Sequence, residues 1–131
     1  MSAVVLDLQK PTAQPLRILY VEDNDILREI TTELLTEAQR EIVACATAEE
    51  GLLVFKSGAF DLLITDVSLP AMSGIELART ILSIKPLMPI IIASGYDLDF
   101  GIDKLGSNVR SIIKPFEGVE IDGLIAKLCG G

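Results

Sequence analysis

Four apolar runs in this chain each stop on a residue that can do chemistry. The run Phe60-Asp61-Leu62-Leu63-Ile64-Thr65 stops on Asp66, Leu16 to Val21 on Glu22-Asp23, Pro89 to Ala93 on Ser94, and Arg110 to Ile113 on Lys114. Brought together, these ends supply three carboxylates, a hydroxyl and an ammonium. Two carboxylates about 4 Å apart repel by about 4 kcal/mol at an effective dielectric near 20. A cluster of three therefore needs a cation or must take up a proton. The chain contains no histidine, and the ligands at hand are hard oxygens, so Mg²⁺ or Mn²⁺ suits the site better than zinc or copper. With Lys114 and Ser94 added, the chemistry expected is that of a bound phosphoryl group. Metal, ammonium and hydroxyl would hold its oxygens while the Asp66 carboxylate attacks phosphorus. The product, an aspartyl phosphate, is short-lived and suits a signal.

Convergence of these residues requires their strands to end along one edge. Apolar runs alternate with amphipathic stretches five times, the pattern of βα units on a parallel sheet. In a doubly wound α/β sheet the strands' carboxyl ends line the edge where a ligand crevice opens. A first helix is expected over about 25–39, with Ile26, Ile30 and Leu34 one turn apart, Leu27 and Leu35 beside them, and Asn24 or Asp25 as its cap. A strand over Glu41–Ala46 follows, then a helix opened by Thr47 and Glu50 at capping-box spacing and closed at Ser57-Gly58. Ser73-Gly74-Ile75-Glu76 opens a third helix with Leu77, Ala78, Ile81 and Leu82 on one face, stopped at Lys85-Pro86. Leu98, Ile102 and Leu105 keep the period of a fourth helix, but Gly101 and nearby aspartates predict a short or mobile element. Ile121, Leu124, Ile125 and Leu128 mark a helix over 118–128.

At 131 residues and 50% hydrophobic content, the chain is long enough for one domain with a substantial core. Residues 1–14, with Pro11 and little periodicity, read as a loose leader before a folded unit spanning 15–131. A net charge of −8 with only 11 Lys+Arg argues against gripping nucleic acid or an acidic membrane surface. Cys45 and Cys129 have neither CxxC nor zinc-site spacing. No basic-then-apolar signal segment and no membrane-length apolar run is apparent, so a cytoplasmic location is expected.

These residues resemble the response-regulator receiver domains of two-component signalling. The resemblance covers roughly residues 16–128. Val21-Glu22-Asp23 carries it, with Asp66 followed by Leu69-Pro70 and Met72-Ser73-Gly74, Ala93-Ser94-Gly95, and Lys114-Pro115-Phe116. It implies a five-stranded parallel sheet of flavodoxin-like order 2-1-3-4-5 with helices on both faces. It implies that Asp66 accepts phosphate from the phosphohistidine of a histidine kinase or histidine phosphotransfer protein. Mg²⁺ would be bound by Asp23, Asp66 and the main-chain carbonyl of Ser68, with Glu22 acting through water. Lys114 would pair with the phosphoryl oxygens and Ser94 would sense them. A cis peptide between Lys114 and Pro115 is also implied, since X-Pro bonds alone carry a small cis penalty.

One position departs from the family pattern. Three residues before Lys114, where most receivers carry an aromatic, stands Ser111. A serine cannot rotate into a changing pocket as a ring does. Either Tyr96, two residues after Ser94, substitutes as the sensor, or the domain passes phosphate onward with little conformational output to its unknown downstream protein. On this reading the protein is a signalling phosphoacceptor, not an enzyme acting on an external substrate. Alternatives are a phosphorylation-independent interaction module and, less favoured, an aspartyl-phosphate phosphatase. The phosphatase chemistry generally wants a carboxylate where Ser68 stands. A flavodoxin-like nucleotide carrier lacks its glycine-rich loop, and a calcium loop at Asp23-Asn24-Asp25 lacks its glycine and terminal glutamate.

Overall fold

The structure is a computed structural model that describes residues 15–37, 39–98 and 101–130. The expected leader, residues 1–14, lies outside them. The elements are β1 (Leu16–Val21), α1 (Asp25–Leu35), β2 (Arg40–Cys45), α2 (Ala48–Ser57) and β3 (Leu62–Asp66). They continue as α3 (Gly74–Ile84), β4 (Ile90–Ser94), α4 (Ile102–Leu105), β5 (Val109–Ile113) and α5 (Gly118–Cys129). All strand pairs are parallel, in the order β2-β1-β3-β4-β5, as the resemblance implied.

Period-two alternation along the strands builds two core layers. Leu19, Val21, Leu63, Ile90, Ile92 and Val109 pack with Ala48 and Phe55 of α2, Leu77, Ala78 and Ile81 of α3 and Ile102 of α4. Ile18, Tyr20, Leu62, Ile64, Ile91, Ala93 and Ile112 face the other way, onto Leu35 of α1 and Ile121 and Ile125 of α5. Helices thus cover both faces. The central strands β3 and β4 are buried at every position, which is why they read as continuous apolar runs.

Three local expectations are revised. First, α1 ends at Leu35 instead of residue 39. The Thr36 backbone turns extended and its amide and hydroxyl both donate to the Thr32 carbonyl, and β2 starts at Arg40 to pair with Leu16. Second, the apolar stripe of α1 faces outward. Ile26 is 68% and Ile30 is 56% exposed, with Leu27 and Leu34 also exposed, whereas Leu35 is buried and Arg28, Thr31 and Thr32 are half-buried. Third, Thr47 caps α2 through the Glu50 amide, but the Glu50 carboxylate accepts from Ala46, so the reciprocal box is not closed. A closed box lies at α3, between Ser73 and Glu76, and another at α5, between Glu117 and Glu120. The fourth helix is four residues long, as its glycine and aspartates predicted.

Candidate functional site

Each strand that feeds the site is tied to its neighbour by one hydrogen bond beyond its last regular pair. The Glu22 amide donates to the Cys45 carbonyl at 3.0 Å, Val67 to Ala93 at 2.9 Å and Lys114 to Ser94 at 2.7 Å. The carboxyl ends of β1, β3, β4 and β5 therefore stand in fixed relation along one edge. Glu22, Asp66 and Ser94 are buried there, Lys114 is half-buried and Asp23 is exposed at the mouth. A buried carboxylate or hydroxyl is costly without partners, and each of these three has one.

Lys114 Nζ lies 2.9 Å from Asp66 Oδ1 and 3.4 Å from Glu22 Oε1. The other Glu22 oxygen accepts from the Asn24 amide at 3.1 Å. Ser94 Oγ accepts from the Tyr96 amide at 3.0 Å. Burial raises the Glu22 carboxyl above the usual carboxylate range; the Asn24 amide opposes that shift, the Asp66 charge adds to it and Lys114 counters it. For Lys114, burial alone would favour the neutral amine, but its hydrogen bond to Asp66 and the charges of Asp66 and Glu22 outweigh burial and raise its pKa. The lysine is held as a cation.

Carboxylate oxygens of Glu22, Asp23 and Asp66 lie within 4.8 Å of one another. One ammonium does not neutralise three carboxylates, so the cluster carries surplus negative charge. The donor set is all hard oxygen, and the surplus matches a divalent cation of the Mg²⁺ class. These three residues can hold such an ion. Ser68 sits exposed on the loop after β3.

Loop β3–α3 folds back onto the site. The Gly74 amide donates to Val67 carbonyl at 3.0 Å, and a Cβ on Gly74 would come within 2.0 Å of the Asp66 carbonyl oxygen. Only glycine permits that approach. Ala71 in the same loop has φ of 62°, the left-handed region. The Lys114-Pro115 peptide is cis. Beside Lys114, a cavity of about 360 Å³ opens along α1, lined by Glu22, Lys114, Leu27, Ile30, Leu34 and Phe116, among others.

Of the departures, Ser111 is half-buried on β5 opposite Ile92, and the Tyr96 side chain is exposed. Arg28 was not among the expected site residues, yet its guanidinium donates to the Glu22 carbonyl at 2.9 Å. The sequence signal for it is faint: a charged residue on the helix side turned to the sheet.

The response regulator receiver domain family matches residues 18–126. Among similar proteins, response regulator protein FleR of Pseudomonas aeruginosa is 32% identical over 113 residues, 85% of this chain and 24% of FleR. The uncharacterized transcriptional regulatory protein YcbL of Bacillus subtilis is 32% identical over 107 residues, 79% of this chain and 46% of that protein. The chain thus spans between about a quarter and a half of these relatives. Among solved structures, response regulator TrrA of Thermotoga maritima, in complex with Mg²⁺-BeF, superposes with a TM-score of 0.78 at 32% identity, covering 86% of this chain and 98% of that one. The receiver domain of hybrid histidine kinase CckA superposes with a TM-score of 0.72 at 28% identity, covering 86% and 98%. This chain belongs to the response regulator receiver domain family.

Proposed function

We propose that the domain takes a phosphoryl group onto Asp66 from a phosphohistidine on a partner histidine kinase or phosphotransfer protein. The P–N bond breaks as an Asp66 oxygen bonds to phosphorus, and the imidazole leaves with the electron pair and takes up a proton. The observation that carries this reading is the Lys114 ammonium 2.9 Å from Asp66 Oδ1, inside a cluster of three carboxylates. That arrangement supports an anion acceptor with a cation already in place for the incoming charge. Asp23, Asp66 and the Ser68 carbonyl would hold Mg²⁺, with Glu22 reaching it through water. When bound, the ion would screen the charge on the transferring group. Lys114, kept protonated, pairs with a phosphoryl oxygen. The Ser94 hydroxyl can turn from the Tyr96 amide toward another. Among the described residues no helix is long and apolar enough to cross a membrane, and an intracellular phosphodonor is part of this proposal.

The exposed apolar stripe of α1 beside the cavity supports docking of the phosphodonor's helix next to Asp66. The phosphorylated domain then either switches a downstream protein or relays the group, and Ser111 favours relay. The test is incubation with Mg²⁺ and acetyl phosphate followed by intact-mass measurement. A single phosphate adduct is expected on the wild type, lost without Mg²⁺ and in Asp66→Asn. A wild type that stays unmodified and also fails to bind beryllium fluoride defeats the proposal.

A further inference from the structure

We infer that Arg28 is a positioning residue for the divalent-cation loop, a role that rests on the metal-dependent reading above. Arg28 occupies the side of α1 turned toward the sheet, where an apolar residue would bury more surface, while Ile26, Leu27 and Ile30 are left exposed. Its guanidinium forks. One nitrogen donates to the Glu22 carbonyl at 2.9 Å and the other contacts Asp25 Oδ1 at 2.7 Å. Between those two anchors lie Asp23 and Asn24.

The loop is pinned from three further directions. The Glu22 amide is bonded to Cys45 of β2, the Asn24 amide to the Glu22 carboxylate, and the Asn24 side chain accepts from Leu27 to start the helix. The Glu22 carbonyl belongs to the peptide that joins Glu22 to Asp23, so the Arg28 bond sets the plane of the peptide between two carboxylates of the cluster. Asp23 is the exposed member of that cluster. No bond to its own carboxylate is needed to place it if the peptides on either side are held. A planar guanidinium suits this task because it reaches two acceptors at once with fixed geometry.

Charge and geometry predict opposite results, which makes the role testable. A cation beside the cluster repels Mg²⁺, so removing it should tighten binding if Arg28 mattered only as a charge. If Arg28 positions the loop, removing it loosens the ligands and weakens binding. Partners that orient metal ligands typically cost tenfold or more in affinity when lost.

The experiment is Mg²⁺ titration of the full chain by calorimetry, with thermal unfolding recorded on the same samples. Arg28→Ala is expected to bind Mg²⁺ about tenfold more weakly than the wild type, with Arg28→Lys between the two because an ammonium reaches only one acceptor. Affinity in Arg28→Ala that is unchanged or tighter overturns the inference, even if its melting temperature falls, since a merely structural arginine would do only the latter. If Arg28→Ala does not fold, Arg28→Lys and Arg28→Gln carry the comparison, and wild-type affinity in both overturns it. A wild type that binds no Mg²⁺ overturns the metal-dependent reading itself, whereas a wild type that binds normally beside an equally competent Arg28→Ala sinks the positioning role alone.

Discussion

Lys114 stands between two buried carboxylates, 2.9 Å from one and 3.4 Å from the other. Without it, Glu22 and Asp66 would face each other with, among the described residues, only the Asn24 amide to offset their charge. Lys114→Met should therefore destabilise the metal-free protein. The ammonium side chain is 26% exposed, so solvent screening limits the loss to about 1–2 kcal/mol, below the cost of breaking a fully buried pair. Mg²⁺ would then supply the missing positive charge. It should raise the melting temperature of Lys114→Met by more than that of the wild type, where cation and ammonium compete for the same field. Equal shifts in a calorimetric scan would show that the two do not share it. The ends of the strands were readable because Glu22, Asp66, Ser94 and Lys114 each interrupt an apolar run. Arg28 was not, and Gly74 was legible as part of a helix opening and a motif but not in its close approach to Asp66, because both act on backbone carbonyls and no residue pattern announces a carbonyl.

Helix α3 approaches the site more closely than any side chain would permit. Its first residue is Gly74, where a side-chain Cβ would lie 2.0 Å from the Asp66 carbonyl oxygen. Gly74→Ala must push the helix start away from β3, because backbone on the other side cannot give as a flexible side chain could. A cost of about 2–3 kcal/mol is expected. Ser73→Ala, one residue earlier, removes only the cap to Glu76 and should cost about 1 kcal/mol. Denaturant unfolding of the two variants separates steric from capping effects, and a Gly74→Ala loss no larger than that of Ser73→Ala would count against the close approach. Helix α1 shows the limit of periodicity in the other direction. Ile26, Ile30 and Leu34 correctly announced a helix, but a period says which residues share a face and not what covers it. Here the polar side, with Arg28, Thr31 and Thr32 half-buried, is turned to the sheet, and the apolar side with Ile26, Ile30 and Leu34 is exposed.

The whole molecule is two core layers divided by one sheet, and its βα alternation was legible because each strand's apolar run is short and each helix shows its turn-spaced face. The order of strands came through the resemblance, since alternation alone admits several. Each layer buries one weakly acidic side chain beside the β1–β2 seam: Cys45 on the α2–α3 side and Tyr20 on the α1–α5 side. Burial pushes the Cys45 thiol from 9.0 up to about 11, with Glu50 adding to the shift, and pushes the Tyr20 phenol from 10.0 up to about 12. Both groups are neutral when protonated, so a raised pKa means the folded state keeps its proton longer. Above pH 9 for the thiol and pH 10 for the phenol, the unfolded chain binds fewer protons than the folded one, and stability falls as pH rises through 11 and 12 respectively. Tyr20→Phe removes the phenol contribution. Any pH-independent difference in stability between the two proteins cancels in the change between pH 8 and pH 11, which is the informative quantity. Over that interval the wild type should lose about 1 kcal/mol more than Tyr20→Phe. Urea unfolding at the two pH values measures it. Equal losses would mean that the Tyr20 hydroxyl reaches solvent in the folded protein, and that the layer beneath α1 is less closed than its burial indicates.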